Sequence, residues 1–329
     1  MGKILVTGAL GQIGSELVPA LRQHHGNHQV IASDIRMTTA NHDEASAVHG
    51  DYEYLDCTRY DHLLDIVRRH GVNTIYHLAA LLSAVAEEKP QTAWQLNMGG
   101  LYHVLEVARR NGCAVFFPSS IGAFGPETPK DQTPQVTIQR PTSIYGVAKV
   151  AGELLGDYYH TRFGVDTRGL RLPGVISSET LPGGGTTDYA VDIFHQAVRY
   201  RHYTCFLRPD TRLDMMYMPD AIRAMIELMQ ADAGTLHHRN AYNVAAINVT
   251  PDELAAEIRK HIPEFVIDYE VDPVRQAIAD SWPRSVDDHA ARCDWHWQAQ
   301  YDLKTMTTDM LSRIRRKINK VSPHAPQAT

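Results

Sequence analysis

Short apolar segments alternate regularly with amphipathic segments through the first half of this chain. The apolar segments are rich in β-branched or aromatic residues, as buried parallel strands are, and they lie at 3–7, 29–33, 52–55, 74–78, 114–118 and 166–172. Segments with apolar residues near the helical period of 3.6 separate most of them, at 12–25, 59–70, 92–110 and 143–163. Because right-handed crossovers place helices on both faces of such a sheet, the pattern predicts an α/β fold with a doubly wound parallel sheet.

A glycine-rich turn joins the first predicted strand to the first predicted helix. In VTGALGQIG, Gly8, Gly11 and Gly14 follow a G-x-x-G-x-x-G spacing. This spacing lets the backbone turn tightly, so that amide groups of the turn, with Gln12 and Ile13 among them, face a pyrophosphate at the positive end of the helix. The turn predicts a Rossmann-type dinucleotide site, although three glycines alone also fit an ordinary strand-to-helix turn.

An acidic residue closes the second predicted strand. Asp34 lies about 20 residues beyond Gly14, where a carboxylate accepts hydrogen bonds from the adenosine ribose. The same charge would repel a 2′-phosphate. We therefore expect NAD as the cofactor, while the nearby Arg36 leaves NADP open.

Small or acidic residues also follow the third and fourth predicted strands. Asp56 comes directly after the third strand, and Leu78, Ala79 and Ala80 close the fourth. Ligands of open α/β sheets bind at the carboxyl ends of the strands. Because small side chains let a flat cofactor approach the backbone, we expect these residues to contact the dinucleotide.

The helix predicted at 143–163 carries Tyr145 and Lys149 one turn apart, so both side chains lie on the same face. Lowering the pKa of a tyrosine from about 10 to neutrality requires about 4 kcal/mol. An ammonium about 4 Å away supplies that much only in a partly buried site. The pair therefore predicts a sheltered tyrosine that accepts a proton from an alcohol, whereas an isolated Y-x-x-x-K is more often a surface pair.

Polar residues expected near Tyr145 strengthen this interpretation. Ser119 and Ser120 follow the fifth predicted strand, at the same edge of the sheet, where a hydroxyl can orient a substrate alcohol. Asn97 lies in the helix after the fourth strand. It can bond to backbone, or to a water that relays protons to Lys149.

Taken together, these features resemble the extended short-chain dehydrogenase/reductase family. The resemblance covers the first half of the chain and is carried by Gly8, Gly11, Gly14, Asp34, Asp56, HLAA at 77–80, Ser120, Tyr145, Lys149 and RLPG at 171–174. It implies that Ser120, Tyr145 and Lys149 form the catalytic set. It also implies that Asn97 is the active-site asparagine, and that Leu172 and Pro173 lie beside the nicotinamide. The family includes nucleotide-sugar epimerases and dehydratases as well as alcohol dehydrogenases.

Segments spread nearly from end to end resemble one group within that family, the short-chain L-threonine 3-dehydrogenases. These segments are 81–87, 118–126, 171–198, 213–222 and 281–295. The resemblance implies oxidation of the C3 hydroxyl of L-threonine by NAD to L-2-amino-3-oxobutanoate, a product that a CoA-dependent ligase converts toward glycine. It also implies a homodimer formed through the helices near 92–110 and 143–163.

The glycine run at 183–185 offers donors for a small carboxylate. Gly184, Thr186 and Thr187 provide amide and hydroxyl groups, and Ser83 adds another donor. Trp282 is expected to shield the substrate from water. The loop 176–190 contains no Arg or Lys, which the diphosphate of a nucleotide sugar would need, although Arg275 and Arg284 elsewhere remain possible ligands.

Charge and residue usage exclude several other classes. The net charge of −6 and the absence of a long basic run argue against nucleic acid or an anionic membrane as partner. The four cysteines have no paired spacing, and the 18 histidines show no metal-ligand spacing, so we expect neither disulfides nor a metal. No stretch of about 18 apolar residues occurs, and we expect a cytoplasmic protein.

The expected organisation is an NAD-binding domain over 1–175, to which elements from about 203–232 return. A smaller C-terminal mixed α/β lobe, formed by 176–202 and 233–322, binds the substrate, and 323–329 form a disordered tail. The alternative function is a nucleotide-sugar 4-epimerase or dehydratase with tightly bound NAD. A non-catalytic NAD-sensing regulator would keep the glycine turn and Asp34 but would not need Ser120, Tyr145 and Lys149.

Overall fold

A computed structural model of the chain describes residues 2–37, 50–181 and 183–321, and the tail expected at 323–329 lies outside them. The strands of the described residues are β1 (Lys3–Thr7), β2 (Val30–Asp34), β3 (Tyr52–Tyr54), β4 (Val72–His77), β5 (Ala114–Ser120), β6 (Thr167–Leu172), β7 (Gly174–Ile176), β8 (His202–Cys205), β9 (Leu213–Tyr217), β10 (Asn240–Asn243), β11 (Ile247–Val249) and β12 (Val266–Tyr269).

The α-helices of the same residues are α1 (Gly14–His25), α2 (Tyr60–His70), α3 (Ser83–Glu88), α4 (Pro90–Trp94), α5 (Leu101–Asn111), α6 (Ile144–Phe163), α7 (Tyr189–Tyr200), α8 (Met218–Gln230), α9 (Pro251–Arg259), α10 (Pro273–Ser281), α11 (His289–Trp295) and α12 (Leu303–Val321). A π-helical segment, Gln95–Gly100, connects α4 to α5, and a short 3₁₀ turn, Ile121–Ala123, follows β5.

Seven strands form one parallel sheet in the order β10-β6-β5-β4-β1-β2-β3. The chain builds outward from β1 to β3 and then returns to β4 on the other side of β1. The predicted doubly wound parallel sheet is therefore confirmed. Because connections leave β1 and β4 in opposite directions, a crevice opens at the carboxyl ends of these two strands.

The helix bounds differ from the predicted ones where local contacts replace regular helical bonds. The first helix begins at Gly14 rather than at residue 12, because the preceding residues form the glycine turn, in which Gly11 N donates to Gly8 O at 3.0 Å. α6 begins just after Ser143, whose hydroxyl caps the helix by accepting Gly146 N at 3.0 Å. The helix predicted at 92–110 is interrupted by the π-helical segment.

Several of the later strands join other sheets than the expected lobes implied. β10, expected in the substrate lobe, extends the main sheet by pairing with β6, because α8 packs against β6 and delivers the chain to that edge. β8, expected near the main sheet, instead pairs with β12 in a two-stranded sheet, and β11, β9 and β7 form a three-stranded sheet.

Apolar side chains fill both faces of the main sheet and the space between the small sheets and helices α7, α9 and α12. The carboxyl edge of the main sheet faces the small sheets and the helices packed on them. None of the helices within the described ranges has the length and apolarity needed to cross a bilayer.

Candidate active site

A cavity of about 540 Å³ opens at the carboxyl ends of β1, β4, β5 and β6. Its other wall is the segment after β7 together with Trp282. Most of the residues predicted for cofactor and substrate border it, namely Gly8, Gly11, Gln12, Ile13, Gly14, Leu78, Ala80, Ser83, Ser120, Tyr145, Lys149, Leu172, Pro173, Thr186, Thr187 and Trp282.

The glycine turn is packed so closely that side chains would not fit. Gly8 has a φ of +70°, and a Cβ there would lie 2.8 Å from Ala79 N. A Cβ on Gly14 would lie 2.4 Å from Gly8 O. Next to this turn, Gln12 Nε2 is buried without a hydrogen-bond partner among the described residues. A compact turn at the start of α1 with a donor left free fits the pyrophosphate of a dinucleotide.

Asp34 lies behind this turn at the end of β2 and does not itself border the cavity. Its Oδ2 accepts Leu10 N at 3.1 Å, and Arg36 donates to both carboxylate oxygens at 3.0 and 3.1 Å. Burial alone would raise the pKa of Asp34, but the hydrogen bonds and charge of Arg36 hold that pKa below its usual value. The ionised carboxylate favours ribose hydroxyls over a 2′-phosphate. Arg36, which could have bound that phosphate, is paired with Asp34 instead.

The first turn of α6 presents Tyr145 to the cavity. Two glycines make this approach possible: a Cβ on Gly122 would lie 3.2 Å from the Tyr145 ring, and one on Gly146 would lie 2.3 Å from Gly122 O. Ser120 lies on the same side, where its hydroxyl accepts Gly122 N at 3.1 Å. The predicted pair of Ser120 and Tyr145 is therefore brought together at the end of β5.

Lys149 lies below the Tyr145 ring, one turn further along α6. Its Nζ is 5.2 Å from the Tyr145 ring centroid and 4.6 Å from that of Phe117, and it donates to Pro118 O at 2.6 Å. Burial lowers the pKa of Lys149 to about 8, although the charge of Glu153 opposes this change. The ammonium is buried and held near the phenol by a backbone carbonyl.

The protonation of Tyr145 differs from the sequence-based expectation. Tyr145 keeps partial exposure to the cavity, yet the surrounding protein buries it enough to raise its pKa to about 12, and a hydrogen bond with Ser120 offsets only part of this increase. Ser120, and not Lys149, lowers this pKa, because the Lys149 ammonium donates to Pro118 O rather than to the phenol oxygen. In the protein alone, Tyr145 is a neutral phenol at neutral pH.

Asn97 supports the cavity from behind. Its Oδ1 accepts Leu81 N at 2.9 Å, and its Nδ2 donates to Leu81 O at 3.1 Å. Both polar groups of the side chain are thus used to hold the loop after β4. Asn97 therefore bonds to backbone, as its sequence position allowed, and its part in a proton relay to Lys149 stays a prediction.

The opposite wall carries three of the residues predicted for the substrate carboxylate, Ser83, Thr186 and Thr187. Gly184, predicted as an amide donor, does not border the cavity, and its amide donates to Asp188 Oδ2 at 2.8 Å. Ser83 Oγ lies 3.3 Å from Thr186 Oγ1, and both residues are buried. Gly184 has a φ of +95° in the turn between the bordering residues Gly183 and Gly185. Trp282 is also buried and closes this end.

Besides Asp34 and Asn97, two more of the predicted cofactor residues, Asp56 and Ala79, do not border the cavity. Asp56 accepts Thr58 N at 2.9 Å and Thr58 Oγ1 at 2.6 Å before the start of α2. Ala79 packs behind Gly8. Within the described ranges, no group of three or more His, Cys, Asp or Glu side chains is arranged to hold a metal ion.

Sequence reasoning missed several residues that shape the site. Gly122 and Gly146 make room for Tyr145, and Asp188 borders the cavity immediately after Thr187. Behind Lys149, Arg171 donates to both carboxylate oxygens of Glu153 at 3.0 and 2.8 Å. Asp188 could have been found from its position directly after Thr186 and Thr187, whereas nothing in the sequence pointed to the glycines near Tyr145.

The arrangement can hold an alcohol between a phenol and a hydroxyl, beside a buried ammonium and a dinucleotide cradle. Such a set suits proton transfer coupled to hydride transfer.

Comparisons with known proteins agree with this chemistry. The chain matches the NAD dependent epimerase/dehydratase family over residues 4–245. A relative from Staphylococcus saprophyticus, described as an uncharacterized epimerase/dehydratase, is 55% identical over 318 residues that cover 96% of this chain and 98% of the relative.

Two similar solved structures are more specific. The L-threonine dehydrogenase of Clostridium difficile is 52% identical with a TM-score of 0.93, over 96% of this chain and 98% of that one. The holo form of the GalE-like L-threonine dehydrogenase of Cupriavidus necator is 54% identical with a TM-score of 0.91, over 95% of this chain and 99% of that one.

Proposed function

Because this chain belongs to the NAD-dependent epimerase/dehydratase family, we propose that it is an L-threonine 3-dehydrogenase, which uses NAD to oxidise the C3 hydroxyl of L-threonine to L-2-amino-3-oxobutanoate. The similarity to two L-threonine dehydrogenases over nearly the whole chain supports this assignment. The residues at the cavity support it independently.

The reacting hydroxyl lies between Ser120 and Tyr145 in this proposal. Ser120 holds the C3 oxygen, and Tyr145 Oη accepts its proton. NAD, when bound in the glycine cradle, supplies the hydride acceptor and a positive ring charge that favours the Tyr145 phenolate. Lys149 keeps a positive charge under the phenol ring, and the aromatic and aliphatic walls limit the access of water.

The observation that carries the proposal is the character of the substrate end of the cavity. Ser83 and Thr186 place two hydroxyl groups side by side, and these can donate hydrogen bonds to the carboxylate of an amino acid. The two arginines that could have held a diphosphate are engaged elsewhere: Arg284 pairs with Asp131, and Arg275 packs 4.3 Å from the Phe206 ring centroid. Neither borders the cavity.

The test is to mix purified protein with NAD and L-threonine and to follow NADH by its absorbance, and then to offer a UDP-sugar. We expect NADH to form with L-threonine and the sugar to remain unchanged. Interconversion of the sugar without net NADH would instead support an epimerase. Inactivity toward both, with NAD still bound, would support a regulator.

A further inference from the structure

Asp188 contributes a buried carboxylate to the wall of the cavity. It lies at the start of α7, directly after the two threonines of the substrate loop, and its exposed fraction is 9%. Among the described residues that border the cavity, it is the only Asp or Glu. The negative charge of Asp188 would repel a carboxylate or a phosphate placed against it.

The two oxygens of this carboxylate have different surroundings. Oδ2 accepts Gly184 N at 2.8 Å and Gly185 N at 2.7 Å, so that it holds the glycine turn in place. Oδ1 makes no hydrogen bond within the described residues. A Cβ on residue 185 would lie 2.8 Å from Oδ1, and the glycine there leaves this oxygen open.

The charge of Asp188 is not neutralised by a contacting cation in the described residues. Burial raises the pKa of Asp188, while the amides of Gly185 and Gly184 and the more distant charge of Arg275 lower it. Arg275 itself lies 3.7 Å from Asp272 Oδ2. A buried carboxylate without a contacting cation is costly, and a bound cationic group would offset that cost.

We propose that Asp188 Oδ1 accepts a hydrogen bond from the α-ammonium group of the substrate, which makes the site selective for 3-hydroxy amino acids over 3-hydroxy acids. This inference rests on the proposed oxidation of L-threonine and adds the residue that recognises its amino group. The cavity then has complementary groups for both charges of a zwitterion, with Asp188 for the ammonium and the hydroxyls of Ser83 and Thr186 for the carboxylate.

An isosteric variant separates this role from support of the glycine turn. In Asp188→Asn the side-chain carbonyl still accepts both glycine amides, but the negative charge is lost. In Asp188→Ala the turn also loses its two hydrogen bonds. A suitable pair of substrates is L-threonine and (R)-3-hydroxybutanoate, which has the same arrangement at C3 and lacks the ammonium group.

For Asp188→Asn we expect kcat/KM for L-threonine to fall about 30-fold or more, the usual effect of losing a hydrogen bond to a charged group. The kcat/KM for (R)-3-hydroxybutanoate and the KM for NAD should stay within about two-fold of the wild type, because the turn is preserved. An equal fall for both substrates, or no fall for L-threonine, would overturn the proposal.

A binding measurement keeps the inference separate from the proposed reaction. Calorimetric titration of L-threonine into the protein loaded with NADH reports binding without turnover. Wild-type binding that Asp188→Asn weakens supports the ammonium contact even if L-threonine is not oxidised. Binding of equal strength in both proteins, or no binding to the wild type, rejects the contact. Oxidation of L-threonine alongside equal binding would reject the contact while leaving the proposed reaction intact.

Discussion

Burial shifts the pKa values of both Tyr145 and Lys149. The pKa of the phenol is raised to about 12, and that of the ammonium is lowered to about 8. Burial thus disfavours the charged form of each residue. The proposed reaction needs both charged forms together. A nicotinamide ring bound beside Tyr145 would supply a positive charge that stabilises the phenolate.

The charge of Glu153 should extend the activity to higher pH, because the proposed reaction needs a protonated Lys149. Glu153 lies one turn beyond Lys149 and raises the pKa of that ammonium. In Glu153→Gln that pKa falls further, so Lys149 loses its proton at a lower pH. We expect the alkaline limb of the kcat/KM profile for L-threonine to move to lower pH.

The loss of Glu153 also leaves Arg171 without a charged partner on α6. Thermal unfolding and NAD affinity at pH 7 therefore serve as controls for the fold. A variant that is folded and binds NAD, yet has an unchanged alkaline limb, would show that Glu153 does not influence Lys149.

The helix that carries Asn97 was only partly predictable from the sequence. A helix at 92–110 was predictable from its apolar period, and Asn97 was correctly placed within it. The π-helical segment at Gln95–Gly100 was not predictable, because it coincides with a tertiary contact between Asn97 and the backbone of Leu81. No local pattern in the sequence encodes that contact.

Removal of this contact should loosen the loop that carries Ser83. For Asn97→Ala we expect the KM for L-threonine to rise about ten-fold, since Leu81 loses two hydrogen bonds. The pH profile of kcat should keep its shape, because both polar groups of Asn97 are engaged with backbone. A changed profile would instead indicate a part in proton relay.

Glu16 on α1 makes the stability of the fold depend on pH. Burial raises its pKa from 4.5 to about 7, although a hydrogen bond from Ser177 at 2.6 Å and the charges of Arg313 and Lys317 oppose this, and Glu179 adds to it. The folded state therefore binds a proton more tightly than the unfolded chain. This contribution to stability is present below pH 4.5 and is lost as the pH rises to about 7, and it amounts to at most about 3 kcal/mol.

Substitution of Glu16 by Gln should remove this dependence. We expect Glu16→Gln to have a higher free energy of unfolding than the wild type at pH 8, and nearly the same value at pH 4.5. The measurement is urea unfolding of both proteins at the two pH values. A difference of equal size at both pH values would show that ionisation of Glu16 is not the cause.

At the scale of the whole molecule, the main sheet was predictable and the assignment of the later strands was not. The first six strands are rich in apolar and β-branched or aromatic residues, and their alternation with helical segments predicted the sheet. β8, β10 and β12 have only four residues each, too few for a periodic signal. Their partners depend on packing of helices such as α8 rather than on their own sequences.

We propose that the protein is a homodimer formed through α4, α5 and α6. These helices expose large apolar side chains, which an assembled dimer would cover, at Trp94, Tyr102, Val147, Leu154 and Tyr158. Analytical ultracentrifugation should give twice the 36.8 kDa of one chain.

Leu154→Glu should shift this dimer to the monomer. Val274→Glu on α10 is the matched control, because Val274 is as exposed as Leu154, at 64% against 62%, but lies outside the proposed interface. A monomeric wild type, or equal behaviour of the two variants, would refute the interface.

In the proposed reaction, a hydride leaves C3 of L-threonine while Tyr145 takes the hydroxyl proton. The most direct measurement uses L-threonine deuterated at C3 with NAD, and analyses the reduced nucleotide by mass spectrometry for the wild type and for Tyr145→Phe. We expect one deuterium per NADH with the wild type and a rate lower by at least about 100-fold with Tyr145→Phe. NADH without deuterium, or a Tyr145→Phe variant as fast as the wild type, would contradict the proposed reaction.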